Sequence, residues 1–252
     1  MATPVALVTG ASAGLGTEFA RQLSAKGYRL VLVARRKDRL DALAAELGHA
    51  RAFESDLAAP GAVAALMADV AAHGETVSLL VNNAGFGLGG QFAELDGQRQ
   101  RGMIDLNIGT LTDLAHAVLP DMLAKRKGAI LNIASTAAFQ PGPGMAVYFA
   151  TKAYVLSFSE ALHEELKGKG ISVTALCPGP TATEFSEVAG FEGNGAFDRA
   201  AVAVPQVVRT GLDALAAGRA VVIPGFLNKI GAQGHRLLPR GVLRRIAGTI
   251  KM

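Results

Sequence analysis

The chain has 252 residues, half of them hydrophobic, with 25 Lys and Arg against 21 Asp and Glu and a net charge of +4. That much apolar sequence supports one sizeable core and excludes wholesale disorder. A single cysteine excludes an internal disulfide or a cysteine-based zinc site, and 30 glycines with no three-residue period exclude collagen.

The predicted elements alternate along the chain. Apolar runs rich in Val, Ile and Leu lie at 5–8, 28–33, 50–53, 77–81, 129–133, 171–176 and 220–223. Stretches of helical period lie at 15–25, 39–47, 63–72, around 99–119, and at 153–167. Nearly continuous apolar runs fit parallel strands covered on both faces. The alternation predicts repeated βαβ units in an α/β, doubly wound, mainly parallel seven-stranded sheet with helices on both faces. The N-terminus lacks a charged segment followed by a long apolar one, so no secretory signal is expected. The longest charge-free stretch, 128–151, carries Asn132, Ser135, Gln140, Pro141 and Pro143, which are costly in a lipid-spanning helix. A soluble, cytoplasmic chain is expected.

The first run is followed by Thr9-Gly10-Ala11-Ser12-Ala13-Gly14-Leu15-Gly16 and then a helix. A strand, a glycine turn and a helix N-terminus make an anion site, because backbone N–H groups can approach a pyrophosphate and the helix dipole favours its charge. A tight turn serving only helix–strand packing is the alternative. The second run ends Val33-Ala34-Arg35-Arg36, without the acid that binds ribose hydroxyls in NAD-preferring sites. Arg35 and Arg36 suit a 2′-phosphate, and Ser12 offers a hydroxyl, so NADP(H) is expected over NAD(H). The alternative is a solvated charge pair opening a helix.

Tyr148 and Lys152 stand four residues apart at the start of a predicted helix, on one face. A nearby cation lowers a phenol's pKa, so the pair offers a proton donor to a carbonyl oxygen or an acceptor for an alcohol. Ser135 lies just past a strand end, where open α/β sheets bind ligands. Asn82-Asn83-Ala84-Gly85 follows another strand end, and Asn107 falls inside the predicted helix around 99–119. Each has a plain structural alternative: a turn residue for Ser135, a backbone partner for Asn107, and a helix cap for Asp56. Cys177 reads as a small buried hydrophobe, and the five histidines lack ligand spacing, so no metal is expected.

In this order and spacing the motifs resemble those of the short-chain dehydrogenase/reductase family. They are the glycine turn at 9–16, Asp56-Leu57, Asn82-Asn83-Ala84-Gly85, Asn107, Ser135, Tyr148 with Lys152, and Pro178-Gly179 with Thr183. The resemblance implies a Rossmann-like catalytic domain over 1–224 that binds both cofactor and substrate. It makes Tyr148 the general acid/base and Ser135 the partner of the reacting oxygen. Lys152 would lower the phenol's pKa and bind the nicotinamide ribose, and Asn107 would hold a water linking Lys152 to solvent. Gly10, Ser12, Gly14, Leu15 and Gly16 would line the pyrophosphate, with Arg35 and Arg36 at the 2′-phosphate. Asp56 and Leu57 would meet the adenine. Asn83, Ala84 and Gly85 would line the adenosine and ribose, and Pro178, Gly179 and Thr183 would fix the nicotinamide.

The activity implied is NADP(H)-dependent reduction of a carbonyl or oxidation of a secondary alcohol. The competing readings are a nucleotide-binding regulatory protein without turnover, an epimerase or dehydratase on the same cofactor, and a membrane-associated scaffold. The segment 184–199 carries Phe185, Phe191 and Phe197 among glycines, which fits either a lid or an irregular packed loop. Segments 86–90 and 136–147 are expected as further pocket walls. They hold no charge, which favours an uncharged, largely apolar small-molecule substrate.

Residues 225–252 are expected as a basic helical extension. From 214 to 252 there are seven basic residues and no acidic one, leaving 18 basic against 21 acidic residues in the rest. The positive balance belongs to the tail, so no nucleic-acid partner is expected. Val242, Leu243, Ile246, Ala247 and Ile250 recur at helical spacing. Packing on the domain or a contact within a homodimer or homotetramer is the first reading, with a roof over the pocket and an anionic membrane surface as the alternatives.

Overall fold

Seven strands form one parallel sheet in the order β3-β2-β1-β4-β5-β6-β7. The strands are β1 (Val5–Thr9), β2 (Arg29–Ala34), β3 (Ala50–Glu54), β4 (Val77–Asn82), β5 (Gly128–Ile133), β6 (Ile171–Leu176) and β7 (Val221–Val222). The computed structural model describes residues 3–181, 201–234 and 239–249. All strand pairs are parallel, so the expected doubly wound α/β sheet is present, and it is parallel throughout.

The continuous apolar runs are explained by burial on both sides. In β1, Val8 and Ala6 face one core with Leu32, Val81 and Phe19. Leu7 and Val5 face the other core with Val31, Leu80 and Ile130. The helices α1 (Gly14–Ala25) and α2 (Lys37–Leu47) cover the first face, joined by α7 (Val204–Ala216). The helices α3 (Ala62–Ala72), α5 (Leu111–Lys125) and α6 (Ala146–Leu166) cover the second. β3 departs from the expected double coverage because it is an edge strand. Its Arg51 lies beside a helix end and pairs with Glu75, Nε to Oε2 at 2.8 Å, and with Asp69.

One predicted helix is interrupted. The stretch around 99–119 is α4 (Gly97–Ile104), then a π turn over Asp105–Thr110, then α5. π turns carry one more residue per turn and occur often at functional sites. Its partner contacts are long-range: Asn107 hydrogen-bonds Phe86 and Thr110 Oγ1 donates to Leu57 O at 2.6 Å.

The strand order reverses beside β1, between β1 and β4, and the C-terminal strand ends at such a reversal are where open α/β sheets bind ligands. Beneath these ends lies a closed polar network. Asn82 and Asn132 are register partners on β4 and β5. Asn82 Nδ2 donates to Asn132 Oδ1 at 3.0 Å and to Leu111 O at 3.2 Å. Asn132 Nδ2 donates to Ser159 Oγ at 2.9 Å, and Ser159 donates to Val155 O at 2.6 Å. All three side chains are buried, so each needs its partner.

The chain closes with α8 (Phe226–Gly234) and α9 (Arg240–Thr249). α9 matches the helical spacing seen in the tail. Its Ala247 is buried and Val242, Arg244 and Arg245 are exposed, while the side chains of Ile246 and Ile250 lie outside the described set. No helix among the described residues is long and apolar enough to cross a membrane.

Asn132→Ala leaves the Asn82 carboxamide and the Ser159 hydroxyl short of a buried partner. Urea denaturation is expected to show a loss of about 1–3 kcal/mol in unfolding free energy.

Candidate active site

The glycine turn between β1 and α1 is fixed by close approach. Gly10 and Gly14 have φ of +66° and +53°, in the left-handed region. A Cβ on Gly16 would fall onto the Gly10 carbonyl oxygen, and one on Gly10 would stand 2.8 Å from Asn83 Nδ2. The N-cap of α1 is Ala13, which makes no side-chain cap, so the first-turn N–H groups remain for an anion. These features fit a pyrophosphate. Leu15 packs half-buried on the core under this turn.

The turn is tied to the end of β4. Thr9 Oγ1 accepts from the backbone N–H of both Asn83 and Ala84 at 3.0 Å, and donates to Val81 O at 3.3 Å. Asn83 Nδ2 donates to the carbonyls of Thr9 and Gly10 at 2.9 and 3.2 Å. The Asn83 backbone N–H and its carboxamide Nδ2 are therefore both committed to the protein.

The two arginines separate. Arg36 is half-buried against the glycine turn, with Nε donating to Ser12 Oγ at 3.2 Å and Nη2 to Ser12 O at 3.4 Å. Arg35 is exposed beside it. A guanidinium and a hydroxyl already in contact fit a phosphate monoester at this edge. Asp56 is exposed and accepts from Ala58 N at 3.2 Å, an Asx turn. It does not cap α3, whose N-cap is Gly61. Leu57 is buried under the same edge.

At the other end of the site, Asn107, Ser135, Tyr148 and Lys152 converge. Asn107 is 1% exposed, and its carboxamide is bonded on both sides to Phe86: Nδ2 donates to Phe86 O at 3.0 Å and Oδ1 accepts from Phe86 N at 3.1 Å. Nδ2 also reaches Thr151 Oγ1 at 3.1 Å. A Cβ on Gly85 would lie 2.8 Å from Asn107 Oδ1 and 3.7 Å from Lys152 Nζ, so Gly85 leaves open the space where these two groups meet. Ser135 Oγ accepts from Ala137 N at 3.1 Å and donates to Pro178 O at 3.4 Å. Gly179 follows, in close contact with the Asn228 carboxamide. Thr183 and the segment 184–199 lie outside the described residues.

Burial pushes the Tyr148 phenol up to about 12, and its hydrogen bond with Ser135 pulls only part of the way back. Burial pushes Lys152 down to about 8. Lys152 Nζ donates to Ile133 O at 2.8 Å and stands 5.8 Å from the phenol ring centroid. In this arrangement Tyr148 holds its proton firmly at neutral pH. Cys177 is buried and its thiol is raised to about 12, mainly by burial, in keeping with a small hydrophobe. Among the described residues no His, Cys, Asp or Glu cluster could hold a metal ion.

Thr9 and Thr151 were not singled out as site residues by sequence, yet they knit the turn and Asn107 into place. A threonine at a strand end beside a glycine, and one between Tyr148 and Lys152, were the available signals.

A family model for short chain dehydrogenases matches residues 4–190. Serine 3-dehydrogenase of Agrobacterium fabrum is 39% identical over 187 residues, covering 72% of this chain and 74% of that protein. The structure of a short-chain dehydrogenase from Sphingobium yanoikuyae in complex with NADPH superposes with a TM-score of 0.83 at 35% identity, covering 99% of this chain and 97% of that one. A bulky-bulky ketone specific alcohol dehydrogenase from Comamonas testosteroni does so with a TM-score of 0.79 at 30% identity, covering 99% and 95%.

The lowered lysine has a stability consequence. Below pH 8 the folded chain holds a buried ammonium that the unfolded chain would leave in water. As pH rises from about 8 toward 10.5 the folded state releases that proton first, so stability rises. Between about pH 7.5 and about pH 9.5, urea denaturation should show a gain near ~2 kcal/mol from this group, absent in Lys152→Met.

Proposed function

We propose, for a chain that belongs to the short-chain dehydrogenase/reductase family, hydride transfer between NADP(H) and an uncharged, largely apolar small molecule bearing a carbonyl or secondary alcohol. The observation that carries this reading is the convergence of Ser135, Tyr148, Lys152 and Asn107 at the C-terminal strand ends, where the glycine turn also lies. NADP(H) is supported by the Arg36–Ser12 contact and by the NADPH in the Sphingobium structure. Arg35 would add charge at the same phosphate. Asp56 and Leu57 would meet the adenine, Asn83, Ala84 and Gly85 the ribose, and Pro178, Gly179 and Thr183 the nicotinamide.

An apolar substrate is supported by the walls beside Tyr148. Leu88, Met103, Ala137, Met145 and Phe149 are buried with it, and Phe86 and Val147 pack against them. A charged substrate would find no counter-ion among these groups. A cytoplasmic homo-oligomer, with residues 1–224 as the catalytic domain and 225–252 as its extension, completes the proposal.

NADPH, when bound, supplies the hydride. Ser135 donates a hydrogen bond to the substrate carbonyl oxygen and orients it. Tyr148 gives its phenolic proton to that oxygen as negative charge develops there. A phenol held well above neutral pH keeps its proton until that moment, which suits reduction. Lys152 stays beside it as a cation source, anchored on Ile133, and Asn107 keeps the Phe86 turn and Thr151 in place around both.

Tyr148→Phe is expected to lower kcat for NADPH-dependent reduction of a bulky ketone by at least about 1000-fold, consistent with loss of a general acid that also orients the substrate. NADPH affinity by fluorescence titration should change by less than about threefold. Retained turnover would refute the assignment. Arg36→Ala should raise KM for NADPH about tenfold or more while leaving KM for NADH nearly unchanged, as loss of one charge-assisted phosphate contact requires. Equal effects on both cofactors would place the 2′-phosphate elsewhere.

A further inference from the structure

Gly179 lies in the turn that follows β6, and its lack of a side chain is a matter of space. Its φ is outside the left-handed region, so the backbone there does not require glycine. A Cβ on it would stand 2.3, 2.4 and 2.5 Å from Oδ1, Cγ and Nδ2 of Asn228. The carboxamide of Asn228, in the first turn of α8, therefore occupies the place of that side chain. Gly225 bounds it on another side, where a Cβ would stand 3.0 Å from Asn228 Nδ2. Asn228 is buried, and Nδ2 donates to Pro224 O at 3.1 Å. Packing between two glycines and a hydrogen bond together hold the carboxamide in place.

The turn that Asn228 touches is joined to a reacting group. Pro178 O accepts from Thr136 N at 2.8 Å and from Ser135 Oγ at 3.4 Å. Thr181 Oγ1 donates to Gly179 O at 3.1 Å, and Val202 N donates to Pro180 O at 3.3 Å. α8 also packs on the turn Thr136–Phe139, which follows Ser135. We propose that Asn228 is a positioning residue for the nicotinamide end of the cofactor and for Ser135. This rests on the reading of Pro178 and Gly179 as nicotinamide contacts and of Ser135 as the partner of the reacting oxygen. With Asn228 in place, the turn is backed by a packed, hydrogen-bonded group. Without it a cavity opens behind Gly179, and the turn can settle toward α8 and draw Pro178 O away from Ser135. The phosphate-binding end is remote from this effect. Ser12 and Arg36 follow β1 and β2, and β4 and β5 lie between β1 and β6 in the sheet.

Calorimetric titration of the full chain with NADPH and with adenosine 2′,5′-bisphosphate, which lacks the nicotinamide, tests this. Wild type is expected to bind both. Asn228→Ala should weaken NADPH binding at least about fivefold and leave bisphosphate binding within about twofold. At saturating NADPH, kcat for a soluble ketone should fall at least about tenfold. Gly179→Ala expels the carboxamide, so Gly179→Ala/Asn228→Ala should bind NADPH within about twofold of Gly179→Ala alone. Asn228→Ser leaves a smaller cavity and should show the same split to a lesser degree, which covers the case in which the alanine variant does not fold. Equal loss of both ligands in both variants would assign Asn228 to the fold alone and overturn the proposal. So would unchanged NADPH binding, or full additivity of the two alanine substitutions. Failure of the wild type to bind NADPH would instead refute the cofactor reading, and wild-type binding without the split refutes the role of Asn228 only.

Discussion

The ends of β1 and β4 meet in a close contact knit by Thr9 and Asn83, and the site depends on it. Gly10 and Gly16 remove the Cβ atoms that would collide there, and Thr9 and Asn83 make five directed hydrogen bonds between the two strand ends. The contact lies at the sheet's reversal point, so it joins the two halves of the fold where they would otherwise diverge. It also leaves the N–H groups at the start of α1 uncapped by side chains. Packing and ligand recognition thus use the same missing atoms.

The reacting end is held differently, by buried polar groups. Two sets lie one above the other. The lower set, Asn82–Asn132–Ser159, links β4, β5, α5 and α6. The upper set, Phe86–Asn107–Thr151, links the turn after β4 to the π turn and to the helix bearing Tyr148 and Lys152. The asparagine donors are satisfied by groups from other elements, while Ser159 and Thr151 donate within α6, so the geometry draws on several elements at once. Lys152 is the exception in energy terms, a cation kept among carbonyls and apolar walls, and its lowered pKa records that burial.

Much of this was legible in the sequence, for identifiable reasons. The strands were readable because a parallel strand covered on both faces must be apolar at successive positions, as 5–8 and 79–81 are. β3 was readable in position but not in environment, since an edge strand can carry Arg51 toward Glu75. The motif residues were visible as types and spacings. Their partners were not, because Asn107 bonds a residue 21 positions earlier and Asn83 turns inward to Thr9. Nothing in the pair Arg35-Arg36 told which would lie on Ser12. Nor could the apolar sequence of α8 tell which of its residues faces water, because that is decided by what packs on Gly179 and the neighbouring turn.

The π turn at Asp105–Thr110 gives the position of Asn107 an unusual genetic character. A π turn amounts to one residue inserted into an α-helix. Removing one residue there would rotate everything on one side by about 100° relative to the other. Either Asn107 would leave Phe86, or Leu114, Val118 and Met122 would leave the core. Point substitution within the helix cannot reproduce that change or repair it. The site at this position is therefore fixed by chain length as well as by residue identity, and a single-codon deletion would be a more severe lesion than most replacements.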